Sequence, residues 1–182
     1  TSKDSENSVP KILEVKAGES IQIIVNKAKA GDLILVNPGT NTGSIVIQTK
    51  DITLRGIDRN TVVIDGRYEQ DNGIIVAADG VRVENLTVQK FRTNGVLVQG
   101  GYDSTSTTGA NGTGSVTTTG TSVLKRFSVQ YVNANANGLY GIYAFSSENG
   151  VIANTYTYAN ADAGIYVGQC KPCNIDVNDN YA

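Results

Sequence analysis

A glycine followed by an apolar triplet returns along this chain at a near-constant interval: Gly73-Ile-Ile-Val76, Gly95-Val-Leu-Val98, Gly141-Ile-Tyr-Ala144 and Gly164-Ile-Tyr-Val167. The first two begin 22 residues apart and the last two 23. Between the pairs the interval doubles to 46, and the excess coincides with a Thr, Ser and Gly-rich run, Gly101 to Gly120. That run reads as an insertion in one unit. Ser44-Ile-Val-Ile47 fits as an earlier member, with Arg67 to Asn72 as additional loop before Gly73. A unit of this size cannot bury its own apolar face, so neighbouring units must stack to make a core.

Each unit also carries a second β-rich stretch: Ile52-Thr-Leu54, Val81 to Val88, Val123 to Val129, and Val151 to Tyr158. Short runs of Val, Ile, Thr and Tyr broken by Gly, Asn and Asp are strands with tight bends. No helical period lies between them, which argues against βαβ units. The fold expected is all-β: a parallel β-helix of about five coils over residues 13–182, right-handed by the usual crossover preference, behind a tail of residues 1–12. Strand spacing gives such a stack a length of about 24 Å. One amphipathic segment precedes the coils. Ile21, Ile24, Val25 and Ala28 share a helical face,. Ser20 is the expected N-cap and Gly31 the stop, which makes residues 20–30 a helical lid over the end of the solenoid.

The stretches Ala17-Gly-Glu-Ser-Ile-Gln-Ile-Ile24 and Gly31-Asp-Leu-Ile-Leu-Val-Asn-Pro-Gly-Thr40 resemble the opening of pectin-lyase-like right-handed β-helix proteins. Ala163-Gly-Ile-Tyr-Val-Gly-Gln-Cys-Lys-Pro-Cys173 resembles a subgroup of secreted microbial β-helix repeat proteins with a Gly-Gln-Cys-x-Pro-Cys turn. The resemblance spans about residues 13–182. It implies the fold, and it implies a superfamily that mixes polysaccharide lyases, hydrolases and epimerases with non-catalytic surface proteins.

Composition narrows the chemistry. There is no His, which removes imidazole bases, the Ser-His-Asp triad and the common zinc sites,. Net charge is −2, so no basic footprint for nucleic acid exists. No apolar run is long enough for a membrane span. A start at Thr1 without a leader reads as a mature or trimmed product. Lyase-type chemistry would need a carboxylate cluster for calcium and an Arg base. Arg55 and Arg82 fall at corresponding outward positions, with Glu84 beside them, while Asp65, Asp71 and Asp79 scatter over turns. These read as solvated turn residues and an exterior Arg pair. No catalytic residue, metal site or cofactor is assigned.

The outward ladder is more informative. Alternation puts Ile74, Val96, Ile142 and Ile165 inside, together with Val76, Val98, Ala144 and Val167. The residues between them then point out: Val46, Ile75, Leu97, Tyr143 and Tyr166. Such an apolar-to-aromatic stripe is either a binding face, on which tyrosines stack against sugar rings, or a surface covered by the 101–120 insertion or the tail. Asparagines recur at the bends, among them Asn72, Asn94, Asn137 and Asn154, where they suit left-handed corners and amide stacking. Two glycosylation sequons are present, Asn85 within an expected strand and Asn111 within the insertion,. Cys170 and Cys173 follow a strand instead of opening a helix, which reads as a local disulfide in an oxidising compartment, with free thiols as the second reading.

The function expected from these residues is a secreted or cell-surface β-helix that binds a polysaccharide or a cell-surface protein, or builds a structure, without catalysis of its own. Its open C-terminal coil could self-associate by accepting the tail of another copy as an added strand. The alternative is a polysaccharide lyase or glycoside hydrolase of the pectin-lyase-like type.

Overall fold

The computed structural model describes residues 9–100 and 123–182. Among them the strands join into three main sheets in which every pairing is parallel. The first sheet has seven strands in chain order: Ile12–Val15, Leu33–Val36, Thr53–Gly56, Arg82–Glu84, Ser128–Gln130, Val151–Ala153 and Asp176–Asn178. The second stacks Ile45–Ile47, Ile74–Val76, Val96–Gln99, Ile142–Phe145 and Ile165–Gly168. The third stacks Gly39–Thr42, Val62–Asp65, Thr87–Gln89, Asn133–Asn135 and Tyr156–Tyr158. A two-stranded piece pairs Leu124–Lys125 with Ser147–Glu148.

The glycine repeat falls in register. Ile45 pairs with Ile74, Ile74 with Val96, Val96 with Ile142, and Ile142 with Ile165. A close approach explains the glycines. A Cβ on Gly73 would stand 2.5 Å from the Gly95 carbonyl oxygen, on Gly95 2.6 Å from that of Gly141, and on Gly141 2.6 Å from that of Gly164. Each of those carbonyls also accepts the N–H that follows the neighbouring glycine: Gly95 from Ile74, Gly141 from Val96, and Gly164 from Ile142, all at 2.9 Å. Glycine is therefore built into the contact between coils.

Inside the coils Ile34, Ile47, Leu54, Ile64, Ile74, Val83, Val88, Val96, Val129 and Ile142 are fully buried. Phe91 and Phe127 fill the corners. At about 25 cal/mol per Å² of apolar area, a continuous column of this kind supplies the main folding drive.

Three sequence expectations need correction. The second β-rich stretch is two strands, bent at a residue in the left-handed region: Asn85 in Val81 to Val88, Arg126 in Val123 to Val129 and Asn154 in Val151 to Tyr158, with φ of 57°, 60° and 55°. Asn85 is thus a corner residue and not part of a strand. Its Nδ2, the atom a glycan would occupy, donates to the Gly56 and Ile57 carbonyls. Val123-Leu124 is not the counterpart of Val81: Leu124 pairs with Ser147, and it is Val129 that lies beside Val83. The helix covers Ile21–Lys27, not 20–30. Ala28 already has extended backbone, and the Asp32 carboxylate accepts the Lys29 N–H at 2.8 Å, so the chain turns away before Gly31. Ser20 sits at the N-cap without a side-chain capping bond.

The helix rests on the first coils through Ile21 and Val25. Gln22 reaches the outer edge of the second sheet, where its amide oxygen accepts the Val46 N–H at 2.7 Å and its amide nitrogen donates to the Val46 carbonyl at 3.1 Å. One side chain occupies the position that a preceding strand would take. The 101–120 insertion, Asn111 and the donated segment of the tail up to residue 8 lie outside the described residues.

Candidate functional site

The row Val46–Ile75–Leu97–Tyr143–Tyr166 is aligned as the alternation requires, one residue per strand of the second sheet. It is not uniformly exposed. Ile75 and Leu97 are only 4% and 6% exposed, Val46 and Tyr143 are half-buried, and Tyr166 is 41% exposed. The outward direction of a side chain fixes which face it lies on, and burial depends in addition on what lies over that face. As a continuous open stripe the row is therefore corrected. Its accessible part is the tyrosine end.

There the rings cluster. Tyr143 and Tyr166, adjacent in register, stack with centroids 5.1 Å apart and planes inclined by 27°. Tyr140, on the turn leading into Ile142–Phe145, joins them at 4.9 Å from Tyr166 and 5.1 Å edge-on from Tyr143. Phe145, two residues along the strand, meets Tyr143 edge-on at 5.6 Å. Burial raises the Tyr143 hydroxyl above its ordinary range, and the neighbouring hydroxyls of Tyr166 and Tyr140 push the same way,. Tyr140 and Phe145 were not singled out in the sequence reading, although Phe145 falls at the next outward position of the same strand.

The acidic and basic candidates do not assemble. Arg55 pairs in register with Glu84, not with Arg82, which lies beside Thr53. The Arg55 guanidinium bonds Glu84 Oε2 from both Nη2, at 2.6 Å, and Nε, at 2.8 Å. Asp65 accepts from the Gln89 side chain and the Arg67 N–H and faces Lys90 at 3.5 Å. Burial pushes its carboxyl up, and those donors outweigh it and hold it below the usual range,. Asp79 accepts the Lys125 N–H, and Asp71 is buried in a turn where its carbonyl accepts from Thr93. Among the described residues no group of three or more Cys, Asp or Glu could hold a metal ion.

Cys170 and Cys173 form a disulfide. The bends hold amide bonds between coils: Asn94 Nδ2 donates to Asn72 Oδ1 at 2.8 Å, and Asn137 Nδ2 to Asn160 Oδ1 at 2.9 Å. These are structural contacts. A second tyrosine group that the sequence reading missed, Tyr156, Tyr158 and Tyr181, stands on the third sheet. The alternation Tyr156-Thr-Tyr158 is its one visible signal. No helix among the described residues is long and apolar enough to cross a membrane.

No family model matches this chain, and no curated protein matches it. Two solved structures are similar. One is the pectate lyase Pel9A, with a TM-score of 0.63 and 16% identity over 84% of this chain and 40% of that one. The other is the catalytic domain of a GH87 α-1,3-glucanase in complex with nigerose, with a TM-score of 0.48 and 16% identity over 86% of this chain and 31% of that one. The chain thus spans less than half the length of either. Stacked all-parallel sheets and the likeness to Pel9A together make the fold of this chain a parallel β-helix.

Proposed function

We propose that this β-helix engages polysaccharide on the outer face of its second sheet, with Tyr143, Tyr166 and Tyr140 as the sugar platform. The observation that carries the reading is the ring cluster itself: three tyrosines within about 5 Å of one another, the outermost exposed. Phenol rings offer flat apolar faces to the C–H face of a pyranose and hydroxyls to its rim. Val46, Ile75 and Leu97 extend the same row along the stack and give the platform a rigid base. The helix Ile21–Lys27 serves as the lid of a solenoid of about five coils. A disulfide and a polysaccharide partner both fit a location outside the reducing cytosol, secreted or on the cell surface,.

The second reading is catalytic: a polysaccharide lyase or glycoside hydrolase. Similarity to a protein named as a pectate lyase favours this form over a purely structural or protein-binding role. Both forms need the sugar chain on the tyrosine face, and they part on turnover. Replacing Tyr143 and Tyr166 together by Ser is expected to weaken binding to immobilised plant and microbial polysaccharides by about 1–3 kcal/mol, roughly a 5- to 150-fold rise in Kd, with the fold retained. A large fall in thermal stability with unchanged affinity would show that the rings serve packing and would end the proposal. Incubation with uronate polysaccharide and calcium, followed by ultraviolet absorbance of unsaturated product, separates the two forms. Sustained turnover selects the lyase.

A further inference from the structure

The third sheet carries its own aromatic and polar surface. Tyr156 and Tyr158 project outward on either side of the buried Thr157. Their centroids are 5.0 Å apart, and Tyr181, bridged to the same strand, lies 5.0 Å from Tyr156. The next strand places Asn133 beside Tyr156 and Asn135 beside Tyr158, and the one beyond it places Thr87 and Gln89 in the same two columns. Thr87 and Asn135 are buried and Asn133 and Gln89 half-buried, so the exposed part of this face is the aromatic step.

The corner leading into this face holds a shallow, solvent-open groove of about 370 Å³, bordered by Arg59, Tyr131, Tyr156, Asp179 and Tyr181. Two features of it are unexplained by packing. Tyr131 takes the left-handed corner position with φ of 55° and is half exposed. Asn85 and Asn154 hold this corner in the flanking coils, and asparagine tolerates the conformation better than an aromatic residue does. Arg59, half-buried, donates one long bond to the Asn154 carbonyl at 3.4 Å. Among the described residues it has no carboxylate partner. Its side chain lines the groove.

We propose that this corner and the adjoining face bind a neutral pyranose chain. Tyr156 and Tyr181 supply ring faces, Tyr131 forms a side wall, and Arg59 and Asp179 supply a donor and an acceptor for vicinal hydroxyls. One cation and one anion line the same rim, so the site carries no net charge. Flat aromatic faces suit a repeating hydroxylated ring. This site is on a different sheet from Tyr143 and Tyr166, and it stands or falls separately from the reading given above.

The test titrates the full chain with cellohexaose, xylohexaose and mannohexaose, and in parallel with hexagalacturonate, at low and high salt, by calorimetry. Tyr131→Asn keeps a residue that suits the corner, and Tyr158→Ala removes an exposed ring from the sheet face. The expected result is binding of at least one neutral hexaose that persists in high salt. Each of these two variants weakens it about tenfold, and the Tyr143→Ser/Tyr166→Ser pair leaves binding at this site intact. Should Tyr131→Asn lower the melting temperature, Tyr158→Ala alone decides. Three results overturn the proposal: no neutral hexaose binds; only hexagalacturonate binds and salt abolishes it; or neutral binding survives in both Tyr131→Asn and Tyr158→Ala with the fold intact.

Discussion

Gly95→Ala tests the account of the repeat in the middle of the stack. The added Cβ would lie 2.6 Å from the Gly141 carbonyl oxygen, and 2.8 Å from Asn137 Nδ2. Ordinary contact distances are longer by the better part of an ångström, and the obstacle is backbone, which no rotamer change removes. Relief requires the two coils to part at this strand. The same carbonyl accepts the Val96 N–H at 2.9 Å, so parting them by that amount also breaks a ladder bond. Overpacking costs about 1–3 kcal/mol, and a lost buried bond adds about 0.5–1.5 kcal/mol. The expected loss is about 1.5–4.5 kcal/mol, a fall of roughly 3–18 °C in melting temperature for a chain of this size. Gly168→Ala is the control, because the new Cβ there meets only the tip of the Tyr166 ring at 3.1 Å. Thermal melts followed by circular dichroism read both. If Gly95→Ala melts within about 2 °C of the parent, the glycine repeat is not required by coil contact and the reasoning fails.

Two further outcomes follow from individual contacts. Asp32 accepts the Lys29 and Lys11 N–H groups, both at 2.8 Å, and the Lys29 bond foremost holds its carboxyl below the ordinary range against the opposing effect of burial. A folded-state pKa below the unfolded one gives stability that is complete above the ordinary aspartate value of about 3.9 and is lost as pH falls through the folded value. Asp32→Asn is accordingly expected to be less stable than the parent at neutral pH, with the gap closing in acid; a gap independent of pH in melts across the acid range refutes this. Reduction of Cys170–Cys173 opens a very short loop, so it is expected to cost at most about 2 kcal/mol. It should speed amide exchange at Asn149, whose N–H donates to the Cys173 carbonyl, while leaving exchange at Val83 and Val129 unchanged.

The solenoid was legible because its two strongest requirements leave marks on residue type. Stacked parallel strands need like residues at like positions, which aligned Ile45, Ile74, Val96, Ile142 and Ile165. Close coil contact needs glycine, which marked where each unit begins. The third sheet was illegible for the opposite reason. Its strands begin and end at left-handed corners occupied by Asn85, Lys90, Tyr131, Ala136, Asn154 and Ala159, a set with no common chemistry, because hydrogen bonds between stacked corners hold the geometry. Arg82 was misplaced for a simpler reason: with Leu54 paired to Val83, Arg55 follows its strand's centre while Arg82 precedes its own, so the two arginines stand diagonally and Arg55 faces Glu84. Alternation read Ile75 and Leu97 as outward. It carried no information on cover, and both are buried. The tyrosine cluster was half visible: Tyr143 and Tyr166 from the repeat, Tyr140 only once the turn was folded back on them.

The central claim is that sugar rings rest on the tyrosine face of the second sheet. Nuclear magnetic resonance with labelled tyrosine side chains, recorded while polysaccharide fragments are titrated into the full chain, tests it most directly. The account expects the ring signals of Tyr166, Tyr143 and Tyr140 to shift together and to show contacts with sugar C–H protons, at a common Kd that rises in the Tyr143→Ser/Tyr166→Ser variant. Saturable binding that leaves all three rings unshifted would contradict it.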